Sequence, residues 1–479
     1  EISLGLVGSE MCIRDRQEQV QEKLSQLGIF SYMDMQYAPR DTTAACDTLD
    51  VTMQATFAKP LDAELELNVV TKSNDQTGPG ASFGVTRNNV FGGGESWNVK
   101  LKGSYEWQTG GGEKSSLMNS WEMGLSTSLT FPRVVFPHLG KREFDFPATT
   151  TFRLYINQLN RAKYYKLLSF GGNATYDFQP SRTSRHSITP FKLTFNVLQH
   201  QSEDFKEIAE ANPALYVSLR NQFIPAMEYT YTYDNASGRR IKNPIWWQST
   251  VTSAGNITSL IYRAFGKPFN EEDKSLLGAP FAQFVKLNTE LRHLWNIDKN
   301  NAIASRMAVG ALFTYGNATI APYSEQFYVG GANSIRAFTV RSVGPGGYHP
   351  EEGKYSYLDQ TGTFRFEANV EYRFRIFKSF WGATFLDAGN VWLLRKDRKL
   401  LADGKEARPN SQLRLKTFPK QIALGTGVGI RYDMDILVFR LDFGIPLHLP
   451  YDTDRSGYYN VTGAFFKNLG IHFAIGYPF

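Results

Sequence analysis

The sequence predicts an all-β fold, a 16-stranded antiparallel transmembrane β-barrel preceded by a short α+β segment. Three observations carry that prediction. From Leu61 onward, apolar and polar residues alternate with period two in segments of ~9–15 residues, separated by turn residues. These segments number sixteen, an even count, and short connections alternate with long ones along the chain. No window holds ~18 consecutive apolar residues, and mean hydropathy is −0.34, so helical membrane spans are excluded while a barrel with a polar lumen is not.

Composition narrows the classes further. At roughly 100–200 residues per soluble domain, 479 residues suggest two to four domains unless one closed β structure absorbs most of them. Charged residues make up 20%, below the ~25% average, which argues against long disordered charged tracts. The net charge of +6 is spread over many short segments and gives little support to nucleic-acid binding. Two cysteines exclude both a disulfide scaffold and a thiolate zinc site.

The first sixteen residues, Glu1–Arg16, show no period. Their "LVGSEMCIRDR" resembles translated sequencing-adaptor read-through, so this stretch is expected to be non-native. Cys12 goes with it, leaving Cys46, and the chain is expected to be a C-terminal fragment. Residues 17–60 form the next unit. Val20, Leu24 and Leu27 share one face of a predicted helix over Gln17–Gly28, and Gly28 suits the C′ position. Two strand-like runs, Ile29–Tyr37 and Leu49–Phe57, flank the polar stretch Arg40–Asp47.

Residues 61–479 are predicted to be the barrel. Its strands fall at 62–71, 79–87, 95–108, 117–131, 149–158, 163–178, 185–199, 223–235, 247–263, 282–296, 301–314, 363–376, 380–393, 420–433, 435–448 and 469–479. The clearest is the twelfth. Phe364, Phe366, Ala368, Val370, Tyr372, Phe374 and Ile376 occupy one parity; Arg365, Glu367, Asn369, Glu371, Arg373 and Arg375 occupy the other. That run is longer than a soluble strand of ~5–6 residues. Short turns join strands 2–3, 10–11, 12–13 and 14–15, the last centred on Met434. The long connections include 200–222, 264–281, 315–362, 394–419 and 449–468, which belong outside the cell by the usual rule; 159–162 is the exception, a short connection on that side. The α+β unit then lies at the periplasmic end.

The longest loop holds Gly330–Gly347, "GGANSIRAFTVRSVGPGG". Ile335, Arg336 and Phe338 are unusual residues for an exposed tip. Arg336 has two readings: solvated on that tip, or folded into the lumen against a wall carboxylate in a two-pronged contact. Glu367, Glu371 and Asp387 are the candidate partners, all on inward parity. Gly425, Gly427 and Gly429 share one parity with no strand–turn–helix context, so they make lumen space rather than a nucleotide loop. The seven histidines, His138, His186, His200, His293, His349, His448 and His472, show no metal spacing. Neither a Gly-x-Ser-x-Gly elbow nor a P-loop is present. Ser202, followed by Glu203 and Asp204, can cap a short outer-loop helix ending before Pro213. No enzyme, metal or cofactor is expected.

Four motifs in order resemble one family. "SIRAF", with Ile335, Arg336, Ala337 and Phe338, resembles the [VI]-R-G-[FY] loop signature of the BamA/TamA family of outer-membrane assembly proteins, the bacterial surface antigen family. "FLDAGNVW", with Phe385, Asp387 and Gly389, resembles its strand-thirteen motif. "TRNNVFGGGE" (Thr86–Glu95) resembles its turn between the second and third strands. "QLGIFSYMDMQY…LDVTMQATF" resembles the C-terminal part of a POTRA domain, the family's periplasmic module. The wording around the loop most resembles Bacteroidetes members and the TamA-like branch. Ala337 departs from the family, which usually has Gly there.

The resemblance implies that Arg336 bridges to Glu371 and Asp387, with Glu367 as runner-up, and holds the loop inside the barrel. It also implies that Ile471, Phe473, Ile475, Tyr477 and Phe479 form a C-terminal outer-membrane signal. The implied function is insertion or translocation of β-barrel or surface proteins at the bacterial outer membrane, through a weak seam between the first and last strands. The implied partners are outer-membrane lipids, unfolded outer-membrane proteins and periplasmic or lipoprotein accessory subunits, with no nucleic acid. The rival readings are a two-partner-type secretion pore, a passive nutrient porin and a soluble β-sandwich adhesin.

Overall fold

The computed structural model describes residues 17–479 apart from 18–19, 22–23, 26, 41–48, 72–75, 109–119, 136–145, 147, 162–164, 204–220, 237–240, 271–273, 277–278, 317–320, 351–359, 397–405, 407, 435–436 and 464–467. Cys12, Cys46 and the predicted outer-loop helix beyond Glu203 therefore lie outside the described residues.

Sixteen strands join edge to edge in chain order, every ladder antiparallel. They are β1 Leu61–Thr71, β2 Gln76–Asn88, β3 Ser96–Gln108, β4 Ser120–Phe131, β5 Ala148–Arg161, β6 Tyr165–Ser181, β7 Ser184–Gln201 and β8 Gln222–Asp234. The second half comprises β9 Ile245–Ala254, β10 Phe284–Asn296, β11 Asn301–Thr314, β12 Phe364–Phe377, β13 Phe380–Trp392, β14 Ala423–Asp433, β15 Val438–His448 and β16 Gly470–Ile475. Along β12 the polar parity is the buried one: Glu367, Asn369, Glu371 and Arg373 are buried, while Val370 and Tyr372 are exposed. A soluble strand does the reverse. Exposed Leu65, Phe83, Leu125, Leu154, Leu291 and Val428 continue the outward apolar band around the sheet, as lipid contact requires.

Inside, the connection between β11 and β12 fills the lumen. Phe327, Val329, Ile335, Ala337, Phe338 and Val343 form one buried cluster with residues of β8, β9, β10, β11, β13 and β14. Strands so far apart in the sheet can share one cluster only if the sheet curls around the loop.

The helical residues Gln17, Val20, Gln21, Leu24 and Ser25 precede Gly28, whose φ of 62° breaks the helix as predicted. The strands Phe30–Pro39 and Leu49–Phe57 then pair antiparallel in a separate two-stranded sheet. Leu27 sits beside Gly94 in the β2–β3 turn, so this unit adjoins the short-turn end of the barrel.

Two predicted strands differ. The ninth does not run through 263: its ladder stops at Ala254, Gly255 turns at φ 70°, and Asn256–Ala264 is a helix, α1. Ile257, Leu260 and Ile261 have helical spacing, and Gly255 supplies the left-handed turn that a continuous strand lacks. The sixteenth does not reach Phe479. It ends at Ile475, and Gly476 bends the chain at φ 90°. Ile471 and Phe473 face outward, whereas Tyr477 turns beneath the Arg373 guanidinium, 4.3 Å from ring centre to Cζ. The predicted single face for these residues is therefore broken at Gly476. The Ile475 side chain lies outside the described set.

Candidate functional site: an arginine loop in the barrel lumen

Arg336 is fully buried, and the strands around it supply its partners by register. Asp387 of β13 is paired with Asn369 of β12, and Glu371 of β12 with Phe385 of β13. Inward parity then aims both carboxylates at one point in the lumen. Arg336 grips Asp387 with two prongs, Nε donating to Oδ2 at 2.8 Å and Nη2 to Oδ1 at 2.8 Å. Its backbone N–H donates to the same Oδ2 at 3.0 Å. Nη1 donates to Glu371 Oε2. The guanidinium lies over the Phe385 ring, Cζ 3.6 Å from the ring centre. Burial alone would weaken its hold on its proton. The hydrogen bonds and charge of Asp387, then the charges of Glu371 and Asp442, outweigh that and raise its pKa.

Glu367 does not reach Arg336. It accepts from Ser334 Oγ at 2.5 Å and from Arg306 Nη1 at 3.2 Å, and so fixes the loop two residues before the arginine. Asn369 joins the two sets, with Nδ2 donating to Asp387 Oδ1 at 2.9 Å and to the Ser334 carbonyl at 2.8 Å.

A second tier completes the network. Arg431 donates to Glu371 Oε2 at 3.1 Å, and its Nη1 lies 2.6 Å from Asp442 Oδ1 without hydrogen-bond alignment. Arg373 donates to Glu371 Oε1 at 2.8 Å, and Arg440 to Asn333 Oδ1 at 2.7 Å. His472 Nε2 lies 2.7 Å from the Arg336 carbonyl; a carbonyl only accepts, so His472 carries its proton on Nε2. Arg306, Arg373, Asn369, Asp442 and His472 were not singled out from sequence. Their inward parity is legible there, but their convergence on one loop depends on register.

Room for the loop comes from glycines on the facing strands. A Cβ on Gly425 would collide with the Ala337 methyl, and one on Gly444 would come within 2.7 Å of the Arg336 carbonyl. Ala337 itself does not adopt a positive φ, so its methyl costs no backbone strain and fits where Gly425 has no side chain.

The β2–β3 turn is a smaller constellation. Gly94 N–H donates to Asn89 Oδ1 at 3.0 Å, and Gly93 N–H to Glu95 Oε2 at 2.9 Å. Arg133 Nη2 donates to Glu95 Oε1 at 2.7 Å. Burial pushes the Glu95 carboxyl up, but its own and the Gly93 N–H, together with Arg133, hold it below the ordinary carboxylate range.

Fold and site together define a transmembrane β-barrel protein whose lumen holds a long arginine-anchored loop. An Omp85 superfamily domain model matches residues 89–479, and the chain belongs to that superfamily. Among solved structures, BamA from Haemophilus ducreyi lacking POTRA domains 1–3 is similar at 13% identity, with a TM-score of 0.57 over 95% of this chain and 76% of that one. CdiB from Acinetobacter baumannii (12% identity, TM-score 0.48, 89% and 64% coverage) and CdiB from Escherichia coli (12%, 0.47, 96% and 70%) are more distant in shape.

Proposed function

We propose that this chain is an outer-membrane assembly factor that inserts β-barrel proteins, or translocates surface proteins, through the seam between β1 and β16. In this reading residues 17–60 are the C-terminal part of a periplasmic POTRA domain and 61–479 are the barrel. The observation that carries it is the order of the sheet. Each strand pairs with its neighbours, but among the described residues no ladder joins β1 to β16, which stand at its two ends. β16 is also the shortest barrel strand, six residues against fourteen in β12.

Unpaired backbone groups at such an edge cannot be satisfied by lipid. A client strand can satisfy them by adding to the edge, and its own groups are satisfied in the same step. The loop keeps the lumen ordered while that edge exchanges partners, because the Arg336 side chain anchors it to β12 and β13, neither of which is a seam strand. A passive porin has no need of an open edge.

The test is the protein reconstituted in liposomes with a urea-unfolded β-barrel client. Folding is followed by the client's resistance to SDS before heating, and conductance is recorded in parallel. Accelerated client folding is expected. Steady conductance with no acceleration overturns the proposal in favour of a pore.

A further inference from the structure

The helix in the connection from β9 to β10 carries its apolar stripe on the side opposite to that of a water-facing helix. α1 turns Ser259 inward, fully buried, where Lys274 Nζ donates to its Oγ at 3.1 Å and to the Phe269 carbonyl at 2.5 Å. Ile257, Leu260, Ile261 and Phe265 project outward at 47%, 56%, 52% and 85% exposure. A helix lying on a protein in water buries its apolar stripe and exposes its polar one. Here the stripe, at i, i+3, i+4 and i+8, is reversed.

Aromatic contacts fix where the helix sits. Tyr262 meets Phe281 at 6.0 Å between ring centres, and Phe281 bridges to Phe223 at the start of β8. Phe223 shares the outward parity of Met227 and Tyr229 yet is buried, because this loop covers it. It contacts Phe195 of β7 at 5.8 Å, and Phe195 stacks on Phe170 of β6 at 5.1 Å. Phe170 is exposed in the lipid-facing band. The outer wall of the barrel is therefore continuous with the helix.

We propose that α1 is an interfacial helix, lying along the membrane at the boundary between acyl chains and anionic head groups. Its apolar stripe enters the acyl region beside the barrel wall. Arg263 and Lys267, both exposed, reach the head groups, with the Lys267 ammonium 5.7 Å from the centre of the Tyr262 ring. The continuity of the helix, through Tyr262, with the lipid-facing wall that bears Phe170 selects lipid over a second copy of the chain.

The test uses the full chain with Cys12 and Cys46 replaced by Ser and a single cysteine at Leu260, Phe265 or, as control, Leu415, which is 88% exposed in the β13–β14 connection. Each is labelled with a polarity-sensitive fluorophore. The proteins are reconstituted in phosphatidylcholine–phosphatidylglycerol vesicles containing lipids spin-labelled at shallow or deep positions. A heat-dependent mobility shift checks folding. Labels at 260 and 265 should be quenched several-fold more than at 415, with the shallow spin label more effective. Arg263→Gln with Lys267→Gln should lower that quenching only in vesicles containing phosphatidylglycerol. Equal quenching at 260, 265 and 415 overturns the proposal. Energy transfer between labelled copies without lipid quenching also overturns it and assigns the face to self-association.

Discussion

His472, on the last strand, donates its Nε2 proton to the carbonyl oxygen of Arg336 at 2.7 Å. The loop that β12 and β13 anchor through its side chain is thus tied to the seam strand through its backbone. One residue connects the fixed wall to the edge expected to open. A change at Arg336 should therefore be felt in two places, loop position and β16.

Arg336→Ala should damage client assembly far more than Arg341→Ala. Both remove one cation from the same loop, but the Arg341 guanidinium lies over Tyr328 at 4.5 Å, outside the cluster at Asp387 and Glu371. Removing one partner of a buried ion pair costs ~3–5 kcal/mol, and lumen water lowers that figure. Arg336→Lys should rescue only in part, because an ammonium cannot make the planar two-pronged contact. Client folding and protease access to the 315–362 loop report the two effects. Equal, mild effects of both alanine variants would refute the lock.

Gly425→Ala should destabilise the barrel by about 1–3 kcal/mol through overpacking against the Ala337 methyl. Adding Ala337→Gly should restore much of the loss, since it removes the methyl that the new side chain meets. The temperature at which the folded band converts to the unfolded band in SDS measures both. Failure of the second substitution to rescue would place the loop elsewhere.

The β2–β3 turn should respond to pH through Glu95. Its folded pKa is depressed, so its stabilising contribution is complete above the unfolded value of ~4.3. It is lost as pH falls through the lower folded value. Glu95→Gln should loosen the turn at pH 7 and flatten its response below about pH 5. Proteolytic nicking of residues 89–95 across pH, in both proteins, checks this.

Phe479→Asp should lower the amount of folded protein in the membrane while leaving synthesis unchanged. The Phe479 ring lies 5.8 Å from Arg373 Cζ and 5.9 Å from Arg336 Cζ. The apolar alternation before it is the expected outer-membrane signal. Undiminished membrane levels would count against that role.

Much of the barrel was legible in the sequence because period two survives any uncertainty in register. The contrast between Val370 and Glu371, or Leu386 and Asp387, needs only the pleat. Arg336 with its two carboxylates was legible through a motif resemblance. Arg306 and His472 were not, since nothing local tells which inward residues on separate strands come level. That depends on ladders such as Asp442 with His472 and Glu371 with Ala304. α1 was hidden because Ile257, Leu260 and Ile261 in a short apolar run fit strand and helix alike.

The central claim is that β1 and β16 part to admit a client, and a reversible staple across them tests it most directly. With Cys12 and Cys46 replaced by Ser, one cysteine is placed at Ala63, Leu65 or Leu67 of β1 and one at Ile471 or Phe473 of β16. The pair that oxidises most fully is kept. A control staple joins Leu125 of β4 to Ile156 of β5, which are ladder partners. The oxidised seam should stop client folding in liposomes, reduction should restore it, and the control staple should leave it intact. Full client folding with the seam staple closed would contradict the account.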